Sequence, residues 1–424
     1  MSDQSVKATG DNAHLAKLAT TKAGYYVDPF LDAFCKSSDG ESEKPVRKPS
    51  RTSKAKTDQA RNSRRVTVQP IIKRGTHARV CVIDRAISTF LKMNHGSPAG
   101  AAYQVVVLGA GKDTSYFRYR NGNLMGMANE VETDETKPLH LRRRERPMKT
   151  EKQQKVHWYE VDHVSVIKEK ATLIRKSSKL KEFCPMLLKT EHGYRCGESN
   201  SDELESLLMS STSSSSTYHL VGHDLRESPT TLLEKLTLNP TLPTLFIMEC
   251  VSMYLPITDS KSLLQTLSLS ADEVYIVCYE PILESKNSRG KGDPFGRVME
   301  RNLVKMGVAT PDCCLLQTRT LKEQLEKLIE CEGFVRAVGC DMWSAYETIV
   351  TDAQRKRANK SELMDEYEEW ILIMQHYCFL VAQGGRSRDQ PLPSDLTKVL
   401  DKIRDDVKPS SSLGWLSGKC LELE

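Results

Sequence analysis

The sequence predicts an α/β chain built on a doubly wound, mostly parallel sheet. Apolar runs rich in β-branched residues alternate with stretches whose apolar residues recur at helical spacing. That alternation is the mark of a parallel sheet covered by helices on both faces. The runs are apolar throughout, as strands buried on both sides must be. The residues that close successive runs are glycines or acids, which is where such sheets bind ligands.

In chain order, Tyr103–Leu108 is a β-branched run that stops at Gly109. Val156–Val161 stops at Asp162, and Tyr218–Val221 runs into Gly222, His223 and Asp224. Thr244–Cys250 carries Glu249 near its end, and Val274–Tyr279 leads into Glu280-Pro281. Phe334–Val338 and His376–Ala382 are the later apolar runs. Helical stripes fall between them: Val80, Ile83, Ile87, Phe90 and Leu91 form the first. Val164–Ile174, Asp259–Leu269, Pro294–Lys305 and Leu321–Cys331 follow. Three segments, 37–66, 120–154 and about 195–217, hold too few large apolar residues to bury a core. They are expected as disordered insertions within a single domain spanning 1–384. Residues 385–424 form an extension with an expected helix near Leu396–Val407, otherwise polar and partly disordered.

The 424 residues are 39% hydrophobic, with a formal net charge of +5 and a mean hydropathy of −0.47. No apolar stretch is long enough to span a bilayer, and the first thirty residues lack a signal-peptide core. No membrane association is expected. The twelve cysteines form no CxxC pair, so neither a metal site nor a disulfide framework is expected. Cys250, Cys278 and Cys378 sit in apolar runs and read as small buried hydrophobes. This pattern fits a reducing compartment, and the cytoplasm is expected, with the nucleus as a second site. Between Lys44 and Arg65 stand nine basic residues and one acid, Asp58. A second basic run extends from Arg142 to Lys155. Neither interleaves aromatic residues with its charges, as a single-strand nucleic-acid platform would. They read as solvated insertions, with nuclear-import signals as the alternative, and no nucleic-acid partner is expected. No heptad repeat points to assembly, so a monomer is expected.

Gly109-Ala110-Gly111 directly follows a strand, where glycine lets the backbone turn sharply and approach a ligand. The third glycine of a GxGxxG pattern is replaced by Thr114, so the turn alone reads equally as a plain strand-to-helix connection. A carboxylate at the end of the next strand can accept hydrogen bonds from both ribose hydroxyls of a nucleoside. Asp162 stands there, and removal of the 120–154 insertion restores the usual interval of about 20 residues after the glycines. Helix capping before Val164 is the alternative role. Asp224 is placed to receive an adenine amine and Leu225 to pack on its ring, with capping of a later helix as the alternative. Glu249 lies deep in an apolar run, where a charge needs a partner or a function. It reads as lining a cofactor pocket, or as half of a structural ion pair.

Seven blocks in this order resemble the leucine carboxyl methyltransferase family. Gly109 to Thr114 (GAGKDT) is similar to the family's GAGxDT turn. Gly24 to Phe30 (GYYVDPF) resembles its GYxxDPY segment, and Arg74 to Val80 (RGTHARV) its RGxxARV segment. Tyr159 to Asp162, Asp224 to Arg226, Glu249 to Val251 and Asp293 to Met299 (DPFGRVM) follow. The blocks cover most of residues 14–384 apart from the insertions. The resemblance implies a class I S-adenosylmethionine-dependent methyltransferase fold with added helices. S-adenosylmethionine is the implied cofactor. By that resemblance Arg79 and Lys17 hold its carboxylate, Gly109 and Gly111 its backbone and Asp162 its ribose. Asp224, Leu225 and Glu249 complete the pocket. The implied substrate is the C-terminal leucine carboxylate of the type 2A protein phosphatase catalytic subunit, and the product a methyl ester.

A C-terminal carboxyl group titrates at about 3.5, so at neutral pH it is already a nucleophile and needs no general base. Arg79 and Tyr254 are the candidate catalytic residues that would position it, with plain packing as the other role for Tyr254. Three rival readings are weighed. A carboxyl methyltransferase acting on a wybutosine precursor in tRNA shares the glycine turn but carries a long propeller after it, and only about forty residues follow Gly384 here. A non-catalytic phosphatase-binding protein is expected to lack the pocket residues. A dehydrogenase is expected to keep the third glycine.

Overall fold

Long apolar strands with no polar face can persist only between two layers of helix, and that arrangement is what the chain adopts. The computed structural model describes residues 3–35, 68–93, 102–124, 155–197, 216–285, 292–331, 333–386 and 421–423. Its strands are β1 (Ala102–Leu108), β2 (Lys155–Asp162), β3 (Leu188–Lys189), β4 (Gly193–Gly197) and β5 (Thr217–Gly222). They continue as β6 (Thr244–Glu249), β7 (Val274–Pro281), β8 (Phe334–Asp341), β9 (Tyr377–Gly384) and β10 (Leu421–Leu423). Helices α1 (Asp3–Lys22), α2 (Pro70–Lys92), α3 (Ser115–Arg120), α4 (Val164–Lys176) and α5 (Ser178–Lys181) belong to the first half. In the second half lie α6 (Pro229–Leu236), α7 (Ile257–Ser268), α8 (Pro294–Lys305), α9 (Cys314–Gln317) and α10 (Leu321–Ile329). They are followed by α11 (Met342–Ile349), α12 (Asp352–Ser361) and α13 (Tyr367–Met374).

The strands form one sheet in the order β10-β8-β9-β7-β6-β1-β2-β5-β4-β3. The central five pair in parallel, and β9 runs antiparallel to both β7 and β8. From β1 the chain winds outward through β2 and β5, then returns to β1's other side for β6 and β7. The switch point therefore lies between β1 and β6. Strand alternation divides the core. Val105 and Val107 of β1 join the cluster under α2, α4, α11 and α13, while Val106 and Leu108 join the one under α6, α7 and α10.

The expected strands and helices recur within one to three residues of their predicted ends, except α2. Its stripe marks only the second half of the helix, which begins at Pro70, the position where proline is best tolerated. Several elements had no sequence forecast. Helix α1 packs on α2 through small and polar groups, with Thr20 fully buried, and so shows no apolar stripe. The hairpin β3–β4 takes in residues 195–197, and β5 begins at Thr217. The expected insertion at about 195–217 is thus shorter at both ends. Gly193 makes that hairpin fit: a Cβ there would lie 1.9 Å from the Leu220 carbonyl oxygen. At the other edge β10 pairs antiparallel with β8, so part of the expected C-terminal extension is strand. The sheet is consequently mixed at both ends and parallel only at its centre. The expected segment 37–66, most of 120–154 and the helix near Leu396–Val407 lie outside the described residues.

Parts of two sequence blocks prove to be framework. Asp28 accepts hydrogen bonds from the Phe30 backbone N–H (3.0 Å) and the Thr114 hydroxyl (2.5 Å), tying the Gly24–Phe30 segment to the glycine turn. Buried Arg118 stands between Asp28 and Asp84, ion-paired with both. Arg74 donates to the Ala358 carbonyl at 3.2 Å and lies 5.8 Å from the centre of the Trp370 ring. Removing one member of a buried charge group strands the others. Arg118→Met is expected to lower stability by about 3–5 kcal/mol, read from urea unfolding. A loss under about 1 kcal/mol would show that this junction is not structural.

Candidate active site

The carboxyl ends of the central strands open into one cavity of ≈ 390 Å³, within the range of small-molecule sites. Every site residue expected from the sequence lines it: Lys17, Arg79, Gly109, Gly111, Asp162, Asp224, Leu225, Glu249 and Tyr254. Helix α1 contributes residues from Thr9 to Lys17 to the wall, and α8 contributes Met299 and Leu303.

The turn after β1 needs its glycines. Gly109 and Gly111 have φ of +65° and +48°, in the left-handed region that favours glycine. A Cβ on Gly109 would lie 2.6 Å from Val251, whereas one on Gly111 would meet nothing within 4 Å. The Gly111 N–H donates to Asp162 Oδ2 at 2.8 Å, and the His163 N–H donates to Oδ1 at 2.7 Å. These bonds fix the carboxylate and leave each oxygen a further lone pair facing the cavity. Burial raises the Asp162 pKa from its ordinary value. The cap of α4 is His163, whose side chain accepts from the Ser165 N–H, so Asp162 is not the helix cap.

The charged end of the cavity is a four-membered cluster. Arg79 of α2 is ion-paired with Glu249 at the end of β6 and lies 4.9 Å from the centre of the Tyr279 ring. Lys17 reaches Glu249 at 3.3 Å and Asp113 at 3.4 Å. Burial pushes the Glu249 carboxyl up, but Arg79 and then Lys17 more than offset it and leave it below its ordinary value. Burial likewise opposes ionisation of Asp113, yet Lys17, Lys170 and Arg118 bring it down to about 2. Glu249 is therefore both cavity wall and half of an ion pair.

Two buried groups that the sequence left unread hold the cavity wall in place. Lys170 donates to the Asp113 carbonyl at 2.8 Å and pairs with Glu160 of β2 at 2.5 Å. The Tyr218 hydroxyl donates to Glu160 at 2.7 Å. Burial, only partly countered by Lys170, pushes Glu160 up to about 7. Glu280 of β7 accepts from the backbone N–H groups of Val251, Ser252 and Met253 at 3.1, 2.9 and 3.2 Å. It thereby shapes the turn that presents Tyr254. Cys250 at the head of that turn has φ of +56°, an uncommon conformation for a residue with a side chain. It is half-buried at the cavity wall, unlike Cys278 and Cys378, which lie in the core as expected.

Another stretch of the wall is apolar, formed by Met253, Leu255, Met299 and Leu303 beside Tyr254 and Tyr377. Asp293 caps α8, accepting from the Phe295 and Gly296 N–H groups at 3.0 and 3.2 Å. Gly296 lets α8 pack closely: a Cβ there would lie 1.7 Å from the Leu283 carbonyl oxygen. The Asp293–Met299 block thus sets the apolar wall. Elsewhere on the wall Asp224 is held by its neighbour Arg226, whose backbone N–H donates at 3.0 Å and Nε at 2.9 Å. Those bonds lower the Asp224 pKa, and any ligand amine must share the carboxylate. Among the described residues no group of three or more His, Cys, Asp or Glu stands close enough to hold a metal ion, and no helix is long and apolar enough to cross a membrane.

A parallel sheet with a glycine turn after its first strand and acids closing the next ones has the architecture of a class I methyltransferase. The family model for leucine carboxyl methyltransferase matches residues 7–145 and 145–268, and the chain belongs to that family. It is 27% identical over 379 residues to the leucine carboxyl methyltransferase 1 homolog of Arabidopsis thaliana, covering 89% of this chain and 88% of that one. Over 409 residues it is 26% identical to leucine carboxyl methyltransferase 1 of Aspergillus fumigatus, covering 91% and 83%. The fold likeness to a solved loganic acid methyltransferase is loose, with a TM-score of 0.36, 9% identity and coverage of 74% and 93%.

Glu160 gives the site a pH signature. Its pKa rises from 4.5 to about 7 on folding, so the folded chain holds this proton more tightly than the unfolded one. The group's contribution to stability is complete below 4.5 and is lost as pH rises toward about 7. Between pH 5 and pH 8 the wild type is expected to lose more stability than Glu160→Gln, measured by urea midpoints. Equal losses would contradict the assignment.

Proposed function

We propose that this protein transfers a methyl group from S-adenosylmethionine to the C-terminal leucine carboxylate of a type 2A protein phosphatase catalytic subunit. The observation that carries this reading is a cavity with both a charged and an apolar stretch of wall, in a chain of the leucine carboxyl methyltransferase family. The chain's own groups fit the cofactor. Gly111 leaves open space, Asp162 keeps lone pairs for ribose hydroxyls, and Arg79 and Lys17 supply cations for an amino-acid carboxylate. When bound, the cofactor supplies an electrophilic methyl group on a sulfonium centre.

The protein's task is positioning, because the acceptor carboxylate is ionised well below neutral pH. Arg79 anchors carboxylate charge, and its pairing with Glu249 tempers that attraction so that the acceptor oxygen keeps its nucleophilicity. Tyr254 is pushed up to about 12 by burial, so its hydroxyl stays protonated and serves as a hydrogen-bond donor. The apolar end takes the leucine side chain and keeps water from the reacting oxygen. Cytosolic action, with the nucleus as a second compartment, is part of the proposal. It rests on the cysteine pattern and the basic runs of the sequence.

The test is transfer of labelled methyl groups to intact phosphatase catalytic subunit beside a subunit lacking its final leucine. Base-labile label on the intact chain alone is the expected result. Label on neither would refute the phosphatase reading, and label on tRNA would replace it. The rate is further expected to stay flat from about pH 8 to about pH 9, above the titration of Glu160 at about 7. His14 is depressed to about 4, and Cys250 and Tyr254 lie at about 12. A bell-shaped profile in that window would reveal a general base that this mechanism does not contain.

A further inference from the structure

Helix α8 has a second face that the cavity does not use. Met299 and Leu303 point into the site, while the opposite side exposes Val298, Val304 and, just past the helix, Met306, at 50%, 48% and 61%. Arg301 and Lys305 stand among them, also exposed. The acid on this helix, Glu300, is taken up by Arg319, whose Nη2 lies 2.8 Å away. The face is thus apolar with a net positive charge, and it belongs to the helix that walls the leucine end of the cavity.

We propose that this face of α8 is the docking surface for the residues that precede the substrate's C-terminal leucine, and that it selects an acidic segment carrying apolar side chains. The inference rests on the leucine-carboxylate reading above and extends it. A terminal leucine in the cavity leaves its own chain no course except over the rim. A helix is about 10 Å across, and an extended chain advances about 3.3 Å per residue. A chain that leaves past Met299 and Leu303 would lay the residues about three to six places before the leucine over α8. Basic groups beside exposed apolar ones complement a segment with carboxylates and apolar side chains. A basic segment on the same face would meet repulsion.

The experiment uses the full chain with S-adenosylhomocysteine bound and two fluorescein-labelled octapeptides ending in leucine. One carries three aspartates and a phenylalanine upstream; the other carries lysines in place of the aspartates. Fluorescence anisotropy at low salt is expected to give about tenfold tighter binding of the acidic peptide. The double variant Arg301→Glu/Lys305→Glu is expected to erase or invert that preference with S-adenosylmethionine affinity unchanged. Val298→Ser/Val304→Ser is expected to weaken the acidic peptide several-fold. Equal binding of the two peptides, binding of neither, or an unchanged preference in the charge-reversed variant would overturn the proposal. If the acidic preference holds while intact phosphatase subunit takes no label, the phosphatase assignment fails and the docking face stands.

Discussion

Two cations and two carboxylates meet at the buried end of the cavity, and neither pair could stay there alone. An unpaired buried charge costs several kcal/mol. Arg79, Lys17, Glu249 and Asp113 satisfy one another only because α1, α2, β6 and the turn after β1 converge on one point. Much of the remaining architecture serves to hold that convergence. Arg118 fastens the Gly24–Phe30 segment and α2 to the start of α3, and Lys170 fixes the carbonyl of Asp113 from beneath.

The same neutrality explains how the site can bind without capturing its ligands too firmly. Cations already engaged by carboxylates present a moderated field. Under the proposed function, a cofactor carboxylate and an acceptor carboxylate would be oriented without being quenched, which suits a reaction whose nucleophile must stay electron-rich. Glu280 provides the matching rigidity at the turn that ends at Tyr254, which it sets through three backbone N–H groups.

The sheet was legible because its central strands are long, apolar and punctuated by glycine or acid, a local pattern. The candidate site was legible for a related reason: Gly109, Asp162, Asp224 and Glu249 all close strands, and the fold gathers strand ends. Arg79 and Lys17 were reached only through family resemblance, since neither sits at a strand end. Helix α1 escaped notice because its contacts are small and polar, and β4 because Gly-Tyr-Arg-Cys-Gly has no alternation. Asp113, Lys170 and Glu280 were visible as residues but not as partners. Lys17 and Asp113 lie 96 positions apart and Arg79 and Glu249 170, and no local spacing announces such a pairing.

The central claim is that the Arg79-centred cluster recognises the carboxylate of the cofactor. The most direct measurement is calorimetric titration of wild type and Arg79→Met with S-adenosylmethionine and with its decarboxylated analogue. The account predicts that the wild type prefers the intact cofactor by about a hundredfold, the worth of a buried charge-assisted contact, and that Arg79→Met binds the two nearly alike. Equal affinities in the wild type, or a preference untouched by the substitution, would contradict it.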